Sequence, residues 1–114
     1  MKNSKAILKG IGASKGIAEG YVRKVLTKKD FSGFKEGSIL VAKITDPSYV
    51  VLMTKAAGII TDIGGIMSHP AIVAREFAIP CVVATKKATA LLKNGQAIIL
   101  DGGEGVVYEK ESSK

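Results

Sequence analysis

The sequence carries one cysteine, one histidine, three prolines and no tryptophan in 114 residues, and its 10 acidic side chains are outnumbered by 17 basic ones. Each scarcity removes a class of protein. A lone Cys81 forms no internal disulfide, which excludes a disulfide-stapled scaffold. One His and one Cys with a helical stretch between them lack zinc-ligand spacing, so no metal site is expected. No apolar run approaches the roughly 20 residues of a membrane-spanning helix. The basic start Met1-Lys2-Asn3-Ser4-Lys5 has no apolar segment behind it of the kind a signal peptide needs. A cytoplasmic protein without a membrane partner is the expectation. There is no Gly-x-x-x-x-Gly-Lys loop, so no cofactor is expected to be bound by this chain itself.

What is present is enough for a core. With 46% hydrophobic residues, a chain of this length can fold without disulfides or metals as one domain, residues 1–114, with its core at about 7–108. It is too short to house a nucleotide pocket, a substrate pocket and a lid together. The net charge of +7 raises the question of nucleic acid. The basic residues, however, are spread from Lys2 to Lys114 with only Arg23-Lys24, Lys28-Lys29 and Lys86-Lys87 adjacent, and aromatics make up 5%. A nucleic-acid partner is not expected.

Short β-branched runs separated by Gly or Pro predict strands at 21–26, 39–42, 59–61, 81–84, 97–100 and 106–108. Apolar residues at helical spacing predict helices at 49–57, from His69-Pro70 to 78, and at 87–92. The fold class is α/β, a β-rich chain with interspersed helices.

One stretch carries chemistry. Thr61 to Glu76 runs from a strand through Gly64-Gly65 to a helix, with the only histidine at the helix start. The glycines permit positive φ and close approach of a bulky group. Pro70 suits a first helical turn. The free N–H groups and positive dipole end of that turn sit badly beside a cationic imidazole and well beside a phosphoryl group. Ser68 offers a further hydrogen bond to such a group, whereas Arg75, about 240° round the helix, has to reach across. The residues alone leave His69 balanced between a structural cap and a phosphate-accepting nucleophile. Cys81, in an apolar run after Pro80, is read as a small buried hydrophobe.

The run Gly64-Gly65-Ile66-Met67-Ser68-His69, then Ala71-Ile72-Val73-Ala74-Arg75-Glu76 and Ile79-Pro80, resembles the phosphohistidine swivelling domain of the phosphoenolpyruvate-utilising enzymes. These include phosphoenolpyruvate synthase, pyruvate phosphate dikinase, enzyme I of the sugar phosphotransferase system and rifampicin phosphotransferase. Gly12-Ala13-Ser14-Lys15-Gly16 is similar to that family's opening turn, and Ile39 to Ala42 with Thr45-Asp46-Pro47 is most similar to the synthase and dikinase branch. Three positions depart from the pattern: Lys15 for proline, Met67 for a regulatory threonine, and Pro70 for a small residue.

The resemblance implies a compact β/β/α domain, a sandwich of sheets with helices on one side, whose His69 is phosphorylated on Nε2. It implies that Gly64, Gly65, Ser68, Arg75, Thr45 and Asp62 support the phosphate site, Thr45 by lining it and Asp62 by orienting His69 or capping the glycine turn. It also implies partners: an ATP-grasp domain that loads His69, and a TIM-barrel domain that exchanges the phosphoryl group with pyruvate or phosphoenolpyruvate, with ATP and Mg²⁺ bound on those partners. Such a chain is a phosphocarrier, a phosphotransferase component inactive alone. The alternative is a non-catalytic regulatory or interaction module, for which Met67 and Pro70 are the motivating residues.

Overall fold

Three runs that are apolar almost throughout and buried on both faces form the centre of the structure: Ile39–Ala42, Gly58–Thr61 and Cys81–Val83. Strands covered on both sides read as continuous hydrophobic runs rather than alternating ones, the pattern of parallel sheets. Here they pair in parallel, and alternate side chains serve two different cores. Ile39, Val41, Ile60 and Val82 point into one core. Leu40, Ile59, Cys81 and Val83 point into the other.

The computed structural model describes residues 5–110. Eight strands, β1 (Lys5–Lys9), β2 (Ile11–Ser14), β3 (Ile17–Lys24), β4 (Ile39–Ala42), β5 (Gly58–Thr61), β6 (Cys81–Val83), β7 (Ala97–Asp101) and β8 (Val106–Glu109), lie in the order β1-β8-β7-β3-β4-β5-β6-β2. Helices α1 (Val50–Met53), α2 (His69–Glu76) and α3 (Ala88–Leu91) accompany them. The β1, β8, β7 and early β3 strands pair antiparallel, while late β3, β4, β5 and β6 pair parallel, with β2 antiparallel at the end. Ile98, Leu100 and Val107 of the first group fill the core between the sheets, which Ala88 and Leu92 close at one end. Leu52 and Met53, with Ala71 and Ala74 of α2, cover the outer face. The layers are therefore sheet, sheet, helix, the β/β/α arrangement.

Strands β1 and β2, the two ends of the strand order, are halves of one chain segment that turns at Gly10. The Gly10 N–H donates to Gly105 O at 2.8 Å, and a Cβ there would run into the carbonyl oxygen of Val83. The segment pairs with β8 on one side of this corner and with β6 on the other. Strand β3 makes the second corner: Ile17 to Tyr21 pair with β7, and Val22 to Lys24 with β4.

The expected strands are all present, and the differences have local causes. Strand β3 begins at Ile17, not Tyr21, because Gly20 lies inside it, beneath Gly37 and Ile39. The residues 11–14, read as part of a turn, are strand β2, and β1 precedes them. Glycine at 10 and 12 dilutes the β-branched signal where the backbones pass too closely for side chains. The helix expected over 49–57 is a 3-10 turn, Pro47–Tyr49, followed by the single turn of α1, because β5 begins at Gly58. A capped 3-10 segment at Lys28–Gly33 has Thr27 and Asp30 exchanging side-chain and backbone bonds at its start.

Candidate active site

The loops that follow β4 and β5 are held together at the C-terminal edge of the parallel strands. Asp62 N donates to Ala42 O at 3.2 Å and Ile63 N to Lys43 O at 3.0 Å. Beyond this seam the second loop folds into a tight turn. Gly64 adopts φ +118°, which a residue with a side chain rarely takes, and a Cβ there would lie 2.8 Å from Ser68 Oγ. Ser68 closes the turn by donating from both its N–H, at 3.1 Å, and its hydroxyl, at 2.6 Å, to Gly65 O. No atom comes within 4 Å of the place a Gly65 Cβ would occupy, so that position exposes backbone.

Helix α2 starts directly at His69, with extended Ser68 as its cap and Pro70 in the first turn. The Ser68 side chain makes no capping bond to the helix, which leaves the positive end of α2 uncovered by side chains. Across from it, Thr45 is 4% exposed and its Oγ1 lies 2.7 Å from His69 Nδ1. This bond fixes the ring through one nitrogen, and among the described residues Nε2 has no partner. Half-buried His69 thus presents a single, defined nitrogen. Ile63, Ile66 and Met67 stand exposed on the turn beside it.

Of the expected set, the structure brings Thr45, Gly64, Gly65, Ser68 and His69 together. The Asp62 side chain bonds elsewhere, and that of Arg75 meets the turn only at a backbone carbonyl. The Asp62 carboxylate accepts from Thr89 N at 2.9 Å and from the Thr89 hydroxyl, capping α3 from another element, while its carbonyl accepts from Lys86 N. Arg75 donates to Ala13 O at 2.9 Å and Ile66 O at 2.6 Å, tying α2 to β2 and bracing the turn from below. The Ser68 hydroxyl, read as a hydrogen-bond donor to the phosphoryl group, instead donates to Gly65 O.

In the sequence Asp46 stands out only as part of the Thr45-Asp46-Pro47 resemblance and not as a cap, although Asp46-Pro47-Ser48 is a capping signature. Its carboxylate accepts from Ser48 N at 2.8 Å and from Ser48 Oγ. These bonds hold the carboxyl below its ordinary value, the hydroxyl contributing most, with Lys28 adding its charge. Thr89 had no sequence signal, since its partner lies 27 residues away. Cys81 is fully buried, and burial pushes its thiol up to about 12. Among the described residues no three His, Cys, Asp or Glu side chains cluster as metal ligands, and no helix is long and apolar enough to cross a membrane.

Residues 34–105 match the family described as "PEP-utilising enzyme, mobile domain". A probable phosphoenolpyruvate synthase of Archaeoglobus fulgidus is 48% identical over 110 residues, 96% of this chain and 15% of the relative. The phosphoenolpyruvate synthase of Pyrococcus furiosus is 48% identical over 109 residues, 96% of this chain and 13% of its own length. The chain thus spans about one-seventh of the curated relatives it matches. Among solved structures, an enzyme I protein is 39% identical with a TM-score of 0.56, covering 64% of this chain and 30% of that one. Aconitase X of Thermococcus kodakaraensis is 25% identical with a TM-score of 0.66, covering 91% and 98%. Its different name shows that the architecture alone does not set the chemistry.

Proposed function

Since the chain belongs to the mobile-domain family of the PEP-utilising enzymes, we propose that it is a phosphocarrier whose His69 Nε2 takes up a phosphoryl group and gives it to an acceptor. The observation that carries this reading is the 2.7 Å contact of Thr45 Oγ1 with His69 Nδ1 at the start of α2. With the proton on Nδ1 donated to the threonine oxygen, the Nε2 lone pair is free to attack phosphorus. An Nε2–P bond forms as the P–O bond to the donor's leaving group breaks. A hydroxyl is both acceptor and donor, so Thr45 serves either tautomer, and the same contact holds the ring after Nδ1 gives up its proton. The uncovered N-terminus of α2 favours the added negative charge.

In this reading the loading partner is an ATP-grasp domain and the acceptor site a TIM-barrel domain that uses pyruvate or phosphoenolpyruvate, with ATP and Mg²⁺ held by those partners. His69 is the phosphorylated residue, Thr45 its positioning residue, and Gly64, Gly65 and Ser68 shape the turn that presents it. Asp62 and Arg75 act at one remove by fixing the ends of that turn. Incubation with an ATP-grasp partner and γ- or β-labelled ATP is expected to give an acid-labile, base-stable adduct on His69. Equal labelling of His69→Ala overturns the proposal.

A further inference from the structure

The edge that presents His69 also gathers lysines. Lys43 follows β4, and its carbonyl accepts from Ile63 N; Lys86 follows β6, and its N–H donates to Asp62 O at 2.9 Å. The two lysines therefore flank the Asp62-Ile63 root of the histidine turn. Their strands lie two spacings apart, roughly 10 Å. Lys87 adjoins Lys86, and all three are exposed. Lys43 is also two residues from Thr45, which touches the His69 ring. None of the three has an acidic partner among the described residues, where the one ion pair is Lys110 with Glu19.

Two carboxylates near this edge keep their charge but are outnumbered by the lysines. Asp62 is buried and bonded to Thr89. Asp46 is exposed and engaged by Ser48, with Lys28 contributing a further cation beside it.

Lys86 also offers a substitution that spares the fold. Its backbone sits at φ +73°, in the left-handed region where glycine carries no Cβ penalty and lysine does. Ala78 and Ala84 share that region, so the strain belongs to the backbone path, and glycine at 86 removes the charge while relieving it.

We propose that Lys43, Lys86 and Lys87 form a cationic collar that concentrates anionic phosphoryl donors at His69. The inference rests on the phosphocarrier reading and names the chemistry its site attracts. Positive charges on the edge that bears the histidine turn act within the Debye length of dilute buffers and are screened at high salt.

The test uses phosphoramidate, a small anionic donor that needs no partner protein. His69 Nε2 forms the bond to phosphorus, the donor P–N bond breaks, and ammonia leaves. The second-order rate of His69 phosphorylation is followed by ³¹P NMR at low and high salt. Lys43→Glu/Lys86→Glu is compared with Lys35→Glu/Lys55→Glu, which changes net charge equally at the opposite ends of β4 and β5. At about 10 mM salt the collar variant is expected to load about threefold or more slowly than wild type, with the difference vanishing at high salt, while the control pair stays near wild type.

Lys86→Gly separates charge from fold: its melting temperature is expected to hold or rise while its low-salt loading rate falls. Equal rates for the two charge-reversed pairs overturn the collar, as does an undiminished rate in Lys86→Gly. Saturable binding of oligouridylate at the collar, without any effect of its lysines on phosphoramidate loading, also overturns it in favour of a nucleic-acid surface. Labelling of His69 by phosphoramidate at a rate that the collar lysines do not affect refutes the collar alone, whereas labelling that persists in His69→Ala refutes the carrier reading.

Discussion

In the proposed carrier Thr45 is the residue on which the chemistry of His69 turns, because its hydroxyl is the partner that holds the ring by Nδ1. Thr45→Val keeps the shape and removes the hydroxyl. Loading of His69 is expected to fall by about tenfold, ~1.4 kcal/mol, in the range found when a histidine loses its orienting partner. Thr45→Ser is expected to restore most of it, and single-turnover labelling of the two variants measures the difference. A melting temperature that falls in Thr45→Val with unchanged labelling would mark the contact as structural only. At the other extreme is Cys81, whose thiol is buried and pushed up to about 12. It is expected to resist a disulfide reagent at pH 8 in the folded protein and to react at once in denaturant. The motif around His69 was legible because its signals are local: paired glycines, a helix-starting proline, one histidine. The side-chain partners of Asp62 and Arg75 were not. Both act across long sequence separations, on Thr89 and Ala13, which spacing along one element does not encode.

Short elements depend on caps, and two of them make measurable statements. Helix α3 is a single turn whose N-terminus is capped from the end of β5 by Asp62. Asp62→Ala strands the Thr89 hydroxyl and N–H and is expected to cost about 1–3 kcal/mol in urea denaturation. The 3-10 segment at Lys28–Gly33 is held by Asp30, which accepts from Leu26 N and Thr27 N; these bonds lower its pKa from the ordinary 3.8. A lowered folded-state value means the stabilisation is present above the unfolded pKa and is lost as pH falls through the folded one. Asp30→Asn is therefore expected to flatten the loss of stability below about pH 4, as read from thermal melts across that range. At this scale β4, β5 and β6 were legible as strands, though not as parallel ones, since burial on both faces leaves uninterrupted apolar runs. Strands β1 and β2 were not, because glycines at close backbone crossings replace the side chains that announce a strand.

Seen whole, the molecule is a ring of strands joined at Gly10 and at the middle of β3. Gly10→Ala pushes a methyl group into the Val83 carbonyl, a backbone group with little room to yield. The expected loss is about 2–3 kcal/mol, measured by thermal or urea unfolding. The order of strands in this ring was beyond sequence reading, because neighbouring runs in the chain are often distant in the sheets: β3 lies between β7 and β4. The closure at Gly10 has a further consequence. An open sheet ends in a strand whose unpaired amides invite any extended chain to join it. Here the strand order ends in two halves of one segment, each paired on a different side, so no long edge remains to be captured. For the proposed carrier this removes the most adhesive surface a β protein can have, and it leaves the loops around His69 as the surface offered to a partner.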